Sequence, residues 1–81
     1  MTDILIVEDN KELAELLCDF LRAENYTVSI AQSGEKALSL YEKYGARLIV
    51  LDIMLPGIDG FYVCKKIRKE SNTPILIVSA K

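Results

Sequence analysis

Four short apolar stretches punctuate the chain, and each of the first three is followed by a segment whose apolar residues recur at helical spacing. "DILIV" (3–7) is rich in branched residues, while "NKELAELLCDFLRAE" (10–24) sets Leu13, Leu16, Leu17, Phe20 and Leu21 at helical intervals behind an asparagine suited to cap them. The pair predicts a strand and then a helix. "YTVSI" (26–30) alternates with period two, and "SGEKALSLYEKYG" (33–45) offers a serine cap, apolar Ala37, Leu38, Tyr41 and Tyr44, and a terminating Gly45. A second strand and helix follow from that. "RLIVLD" (47–52) is again apolar up to Asp52, "IMLPGIDG" (53–60) reads as a loop with a Pro-Gly turn, and "FYVCKKIRKE" (61–70) predicts a third helix packing Phe61, Cys64 and Ile67. "PILIVS" (74–79) closes as a fourth strand.

Alternating strands and helices imply right-handed βαβ units, hence a doubly wound α/β fold with a parallel sheet. A strand covered on both faces is apolar throughout, whereas an edge strand tends to alternate. By that criterion 3–7, 47–52 and 74–79 are central and only 26–30 is an edge. An open sheet has two edges, so the pattern predicts that residues 1–81 are a fragment of a domain with at least one further strand.

Composition narrows the function. The 81 residues are 51% hydrophobic and 27% charged with a net charge of -2, which describes one folded, mildly acidic domain and argues against nonspecific nucleic-acid binding. No apolar run reaches the roughly 18 residues of a membrane helix, so no membrane contact and a cytoplasmic location are expected. Cys18 and Cys64 lack a CxxC or Cys/His neighbourhood and read as reduced packing residues. Histidine is absent, which removes the commonest general base and metal ligand.

In an open parallel sheet, ligands bind at the carboxyl ends of the strands. Those ends carry Glu8 and Asp9 after the first strand, Asp52 after the third and Ser79 after the fourth. Three converging carboxylates repel one another and raise each other's pKa, so the cluster suits a hard divalent cation such as Mg²⁺. Helix capping could instead account for Asp9 and Asn10; it explains Asp52 poorly, because a Pro-Gly loop follows. A carboxylate beside Mg²⁺ with a hydroxyl nearby can accept a phosphoryl group.

Taken together, "ILIVEDN", "LIVLDIMLPGIDGF" and "PILIVSAK" resemble the receiver domain of two-component response regulators, over the whole chain. The "DIMLPGIDG" wording is similar to regulators that carry a winged-helix DNA-binding domain, and residues 1–81 are expected to hold the receiver part without that output domain. The resemblance implies a flavodoxin-like doubly wound sheet, here βαβαβαβ with strand order 2-1-3-4. It implies Asp52 as phosphoacceptor from a sensor histidine kinase. Mg²⁺ would be held by Asp9 and Asp52, by Glu8 mainly through water, and by the Met54 main-chain carbonyl. Ser79 would be the switch hydroxyl, Ala80 would leave room for the phosphoryl oxygens, Pro56 and Gly57 would shape the loop, and Gly60 would start the third helix. The family's fifth strand and helix, and the phosphate-contacting Lys before that helix, have no counterpart here, and Lys81 reads as a solvated loop residue. Their absence predicts impaired self-phosphorylation and dephosphorylation.

The rival readings are weaker. A dehalogenase-type phosphatase needs a second Asp two residues after the first, where Met54 stands, and a nucleotide-binding domain needs a Gly-rich phosphate loop where "VEDNKEL" is acidic. The alternative from another class is a receiver fragment without phosphotransfer that self-associates. It would form a homodimer through the exposed fourth strand or by exchange of elements.

Overall fold

A computed structural model describes residues 1–55 and 57–78. Its elements run β1 (Thr2–Val7), α1 (Lys11–Ala23), β2 (Val28–Ala31), α2 (Gly34–Tyr44), β3 (Ala46–Asp52), α3 (Gly60–Arg68) and β4 (Ile75–Val78). The four strands form one parallel sheet in the order β2-β1-β3-β4. This is the predicted flavodoxin-like arrangement, with Cα register Val7 to Leu51 and Asp52 to Val78 setting the strand ends side by side.

Alternation along the strands sorts the apolar residues into two layers. Leu5, Val7, Ile49 and Leu51 turn to one face and pack with Ala37 of α2 and Val63 and Ile67 of α3. Ile4 and Ile6 turn to the other, against Ala14 and Cys18 of α1. Burying such side chains contributes roughly 1.5–3 kcal/mol each, which is why β1 from Ile4 and β3 from Leu48 are apolar up to the acids at their tips.

Each helix begins where a short polar side chain can accept a free backbone N–H. The side chains of Asn10, Ser33 and Asp59 accept from the amides of Leu13, Lys36 and Tyr62 at 3.1, 3.2 and 2.9 Å. Helix α2 stops at Gly45, whose φ of 71° the other residues reach only with strain. The Tyr41 hydroxyl then ties α2 to the turn before β4, donating to Ser71 Oγ at 2.7 Å and lying 2.6 Å from Thr73 Oγ1.

Two sequence expectations, the start of strand β2 and the packing of Phe61, need correction. Strand β2 starts at Val28, later than the alternation suggested, because Asn25 turns the chain at φ 72° and Thr27 is locked to Asp3 by reciprocal 2.9 Å hydrogen bonds. Leu13, Leu16 and Phe20 are exposed, since α1 meets the sheet along Ala14, Leu17, Cys18 and Leu21 and no described helix flanks it. Phe61 is exposed too, and Val63 takes its place in the core. Tyr44, at the last turn of α2, also faces solvent.

Candidate functional site

The carboxyl ends of β1 and β3 lie side by side because those strands pair directly. Glu8 and Asp9 follow β1, Asp52 ends β3, and one carboxylate oxygen from each lies within 4.8 Å of the others. Glu8 and Asp52 are 7% and 3% exposed, whereas Asp9 faces solvent. Two buried acids and one exposed acid therefore form an acidic cluster that solvent reaches at Asp9.

Local backbone geometry holds the buried pair. The Asn10 amide donates to Glu8 Oε2 at 3.1 Å, and the Met54 amide donates to Asp52 Oδ1 at 2.9 Å. Asn10, not Asp9, is the cap of α1, so capping accounts for Asn10 and leaves the Asp9 carboxylate free for the pocket. Among the described residues no lysine or arginine pairs with any of the three acids; the ion pair present joins Arg47 to Asp3 at 3.6 Å. Burial pushes the Glu8 carboxyl above its usual range, and the negative charges of Asp52 and Asp9 add to the effect against the opposing Asn10 hydrogen bond.

Uncompensated carboxylate oxygens at this spacing form an all-oxygen donor set, the type that a hard divalent cation prefers. The three acids therefore fit Mg²⁺. The Met54 main chain stands beside Asp52 through its amide, while the Met54 side chain is exposed and offers the pocket nothing.

The loop after β3 brings the remaining described residues into place. Gly57 has φ 72°, and Gly60 opens α3 so close beneath the strand end that a Cβ there would come to 2.5 Å of Ile53 Cα. Only glycine fits under that backbone. Pro56, Ser79, Ala80 and Lys81 lie outside the described residues. The sequence had also hidden one participant: Gly34, the residue after the Ser33 cap, sits against the same loop.

Comparison with known proteins places this arrangement. The family model of the response regulator receiver domain matches residues 4–81. The chain is 42% identical over 81 residues to the sensory transduction protein RegX3 of Mycolicibacterium smegmatis, covering all of this chain and 36% of that protein. It is 46% identical over 81 residues to the response regulator ArlR of Staphylococcus aureus, covering all of this chain and 37% of that one. The chain thus spans about a third of the length of these curated relatives. Among solved structures it is similar to the BeF3-activated N-terminal receiver domain of Klebsiella pneumoniae RstA. That match has a TM-score of 0.92 at 30% identity, over 98% of this chain and 68% of that one. Sequence and fold therefore agree with the acidic pocket at the strand ends, and the chain belongs to the response regulator receiver domain family.

Proposed function

We propose that this receiver domain takes a phosphoryl group from a sensor histidine kinase onto Asp52, with Mg²⁺ held by Asp9, Asp52, the Met54 main-chain carbonyl and, largely through water, Glu8. The observation that carries the reading is the meeting of three carboxylates at the ends of adjacent parallel strands with no cation among the described residues to balance them. The role is regulatory: response regulators are switched by phosphoryl transfer from such kinases.

In the transfer, an Asp52 carboxylate oxygen attacks phosphorus, the bond from phosphorus to the donor's imidazole nitrogen breaks, and the electron pair leaves with the imidazole. Bound Mg²⁺ would offset the charge that develops on the transferring oxygens. The Met54 amide orients the Asp52 carboxylate by holding Oδ1, which leaves Oδ2 as the nucleophile. Leu51 and Val7, the residues before Asp52 and Glu8, are fully buried and anchor the two strand ends in the core. Ser79 is the proposed switch hydroxyl and Ala80 the residue that spares room for the phosphoryl group. Free Cys18 and Cys64, and the absence of any described helix long and apolar enough to cross a membrane, support a cytoplasmic setting.

Intact mass after incubation with acetyl phosphate and Mg²⁺ tests the proposal. A gain of one phosphoryl group that Asp52→Ala abolishes is the expected result. No gain, or a gain that survives the substitution, overturns it.

A second reading is favoured by β4, whose Leu76, Ile77 and Val78 are exposed along a strand with one described neighbour. An edge of this kind pairs with another strand, and a second copy of this chain satisfies it by antiparallel two-fold pairing of β4 with itself. In this reading the chain is a self-associating module, and its N–H and C=O groups on the free edge supply the contact.

A further inference from the structure

Gly34 is the first residue of α2, on the same sheet face as α3, and it is buried. A Cβ at this position would meet the Ile58 carbonyl oxygen and Val63 Cγ2 at 2.9 Å each, and Ile58 Cβ at 3.2 Å. Side chains do not approach a backbone oxygen that closely without displacing it. The next residue reinforces the contact, since a Cβ on Gly57 would lie 3.3 Å from Glu35 Oε2. The first turn of α2 is thus seated directly on the loop that follows β3.

That loop is a short mechanical path to the acidic pocket. It carries Met54, whose amide holds Asp52 Oδ1. The Ile53 carbonyl accepts from the Gly60 amide at 3.3 Å, and the Asp52 carbonyl oxygen would lie 2.9 Å from a Cβ on Gly60. Val63, which a Cβ at position 34 would also meet, is fully buried in α3. A displacement at the half-buried Ile58 is therefore taken up by the loop, which is exposed at Gly57 and Asp59, and passed along its backbone toward the strand end.

We infer that Gly34 is a positioning residue for the phosphoacceptor: by having no side chain, it lets α2 set the height of the β3–α3 loop and so the placement of the Met54 main chain against Asp52. It touches neither phosphoryl donor nor metal and acts through Ile58. The inference deepens the proposed phosphoacceptor reading and rests on it for its functional consequence alone.

Gly34→Ala is compared with Ser33→Ala, which removes the cap of the same helix without approaching the loop. Amide resonances of the metal-free chain are recorded at a temperature where each variant is folded. Those of Met54, Ile58 and Gly60 should shift in Gly34→Ala and stay in place in Ser33→Ala. Mg²⁺ titration should then show affinity about tenfold weaker for Gly34→Ala, as when other outer supports of a metal site are removed, and unchanged for Ser33→Ala. Loop amides that do not move overturn the positioning role. Loop amides that move while Mg²⁺ binds as in the unsubstituted chain overturn its consequence for the site. Failure of the unsubstituted chain to bind Mg²⁺ overturns the metal reading instead, and the amide comparison still decides the role of Gly34. Should Gly34→Ala not fold, the same spectra are taken of Gly34→Ala with Val63→Ala, against Val63→Ala alone. Removing Cγ2 leaves the Ile58 carbonyl as the group that must move.

Discussion

Burial and the nearby charges of Asp52 and Asp9 raise the Glu8 carboxyl, so the folded, metal-free chain holds its proton more tightly than the unfolded chain does. The sign of the stability effect follows. Glu8 costs nothing at low pH, where both states are protonated, and its cost grows as pH rises from the ordinary glutamate value through the raised one. Glu8→Gln should therefore raise the metal-free melting temperature at neutral pH by a few degrees and flatten its decline from mildly acidic to neutral conditions. Calorimetry across that range checks it, and a lower melting temperature for the variant at neutral pH would contradict it. At this scale the acids were legible because polar residues at the tips of apolar strands stand out. Gly34 was not, because a glycine beside a cap looks like local backbone chemistry, and its reason lies in Ile58 and Val63, far along the chain.

Elements were legible where periodicity and caps agreed. Asn10 and Ser33 marked two helix starts directly, whereas the cap of α3, Asp59, was hidden in the stretch read as loop, and the helix begins at Gly60 one residue ahead of its apolar pattern. Strand β2 was misplaced because a period-two pattern does not show where an edge strand leaves the sheet. Tertiary bonds from Asp3 to Thr27 made that decision. The helical spacing of Leu16 and Phe20 was read correctly as helix, but an apolar flank says nothing about whether a neighbour lies over it, and both side chains are exposed. The hydroxyl cluster of Tyr41, Ser71 and Thr73 is a further tertiary feature, holding the turn before β4 against α2. Tyr41→Phe should cost about 1 kcal/mol in urea unfolding, because two part-buried hydroxyls lose a partner. Stability equal to the unsubstituted chain would show that solvent replaces the hydroxyl.

At the scale of the molecule the two layers are unequal. Among the described residues, helices α2 and α3 share one face and α1 serves the other, and Leu76, at 54% exposed, marks a strand with room beside it. If β4 pairs with a second copy, Leu76→Lys should shift sedimentation at micromolar concentrations from dimer to monomer, because a charged edge resists pairing. Equal sedimentation of both forms would remove the second reading and leave phosphotransfer unaffected. The sequence already implied an open sheet with an apolar margin, since β4 has the composition of an interior strand.

The strand order β2-β1-β3-β4 also fixes a history for the chain. β1 precedes both of its neighbours yet ends between them, so during synthesis both of its edges stay unpaired until β2 and then β3 arrive through their crossovers. Non-local pairing of this kind assembles late. Glu8 and Asp9 leave the ribosome early but become a site only when Asp52 docks beside them, so a nascent chain acquires its pocket and the centre of its sheet in one event.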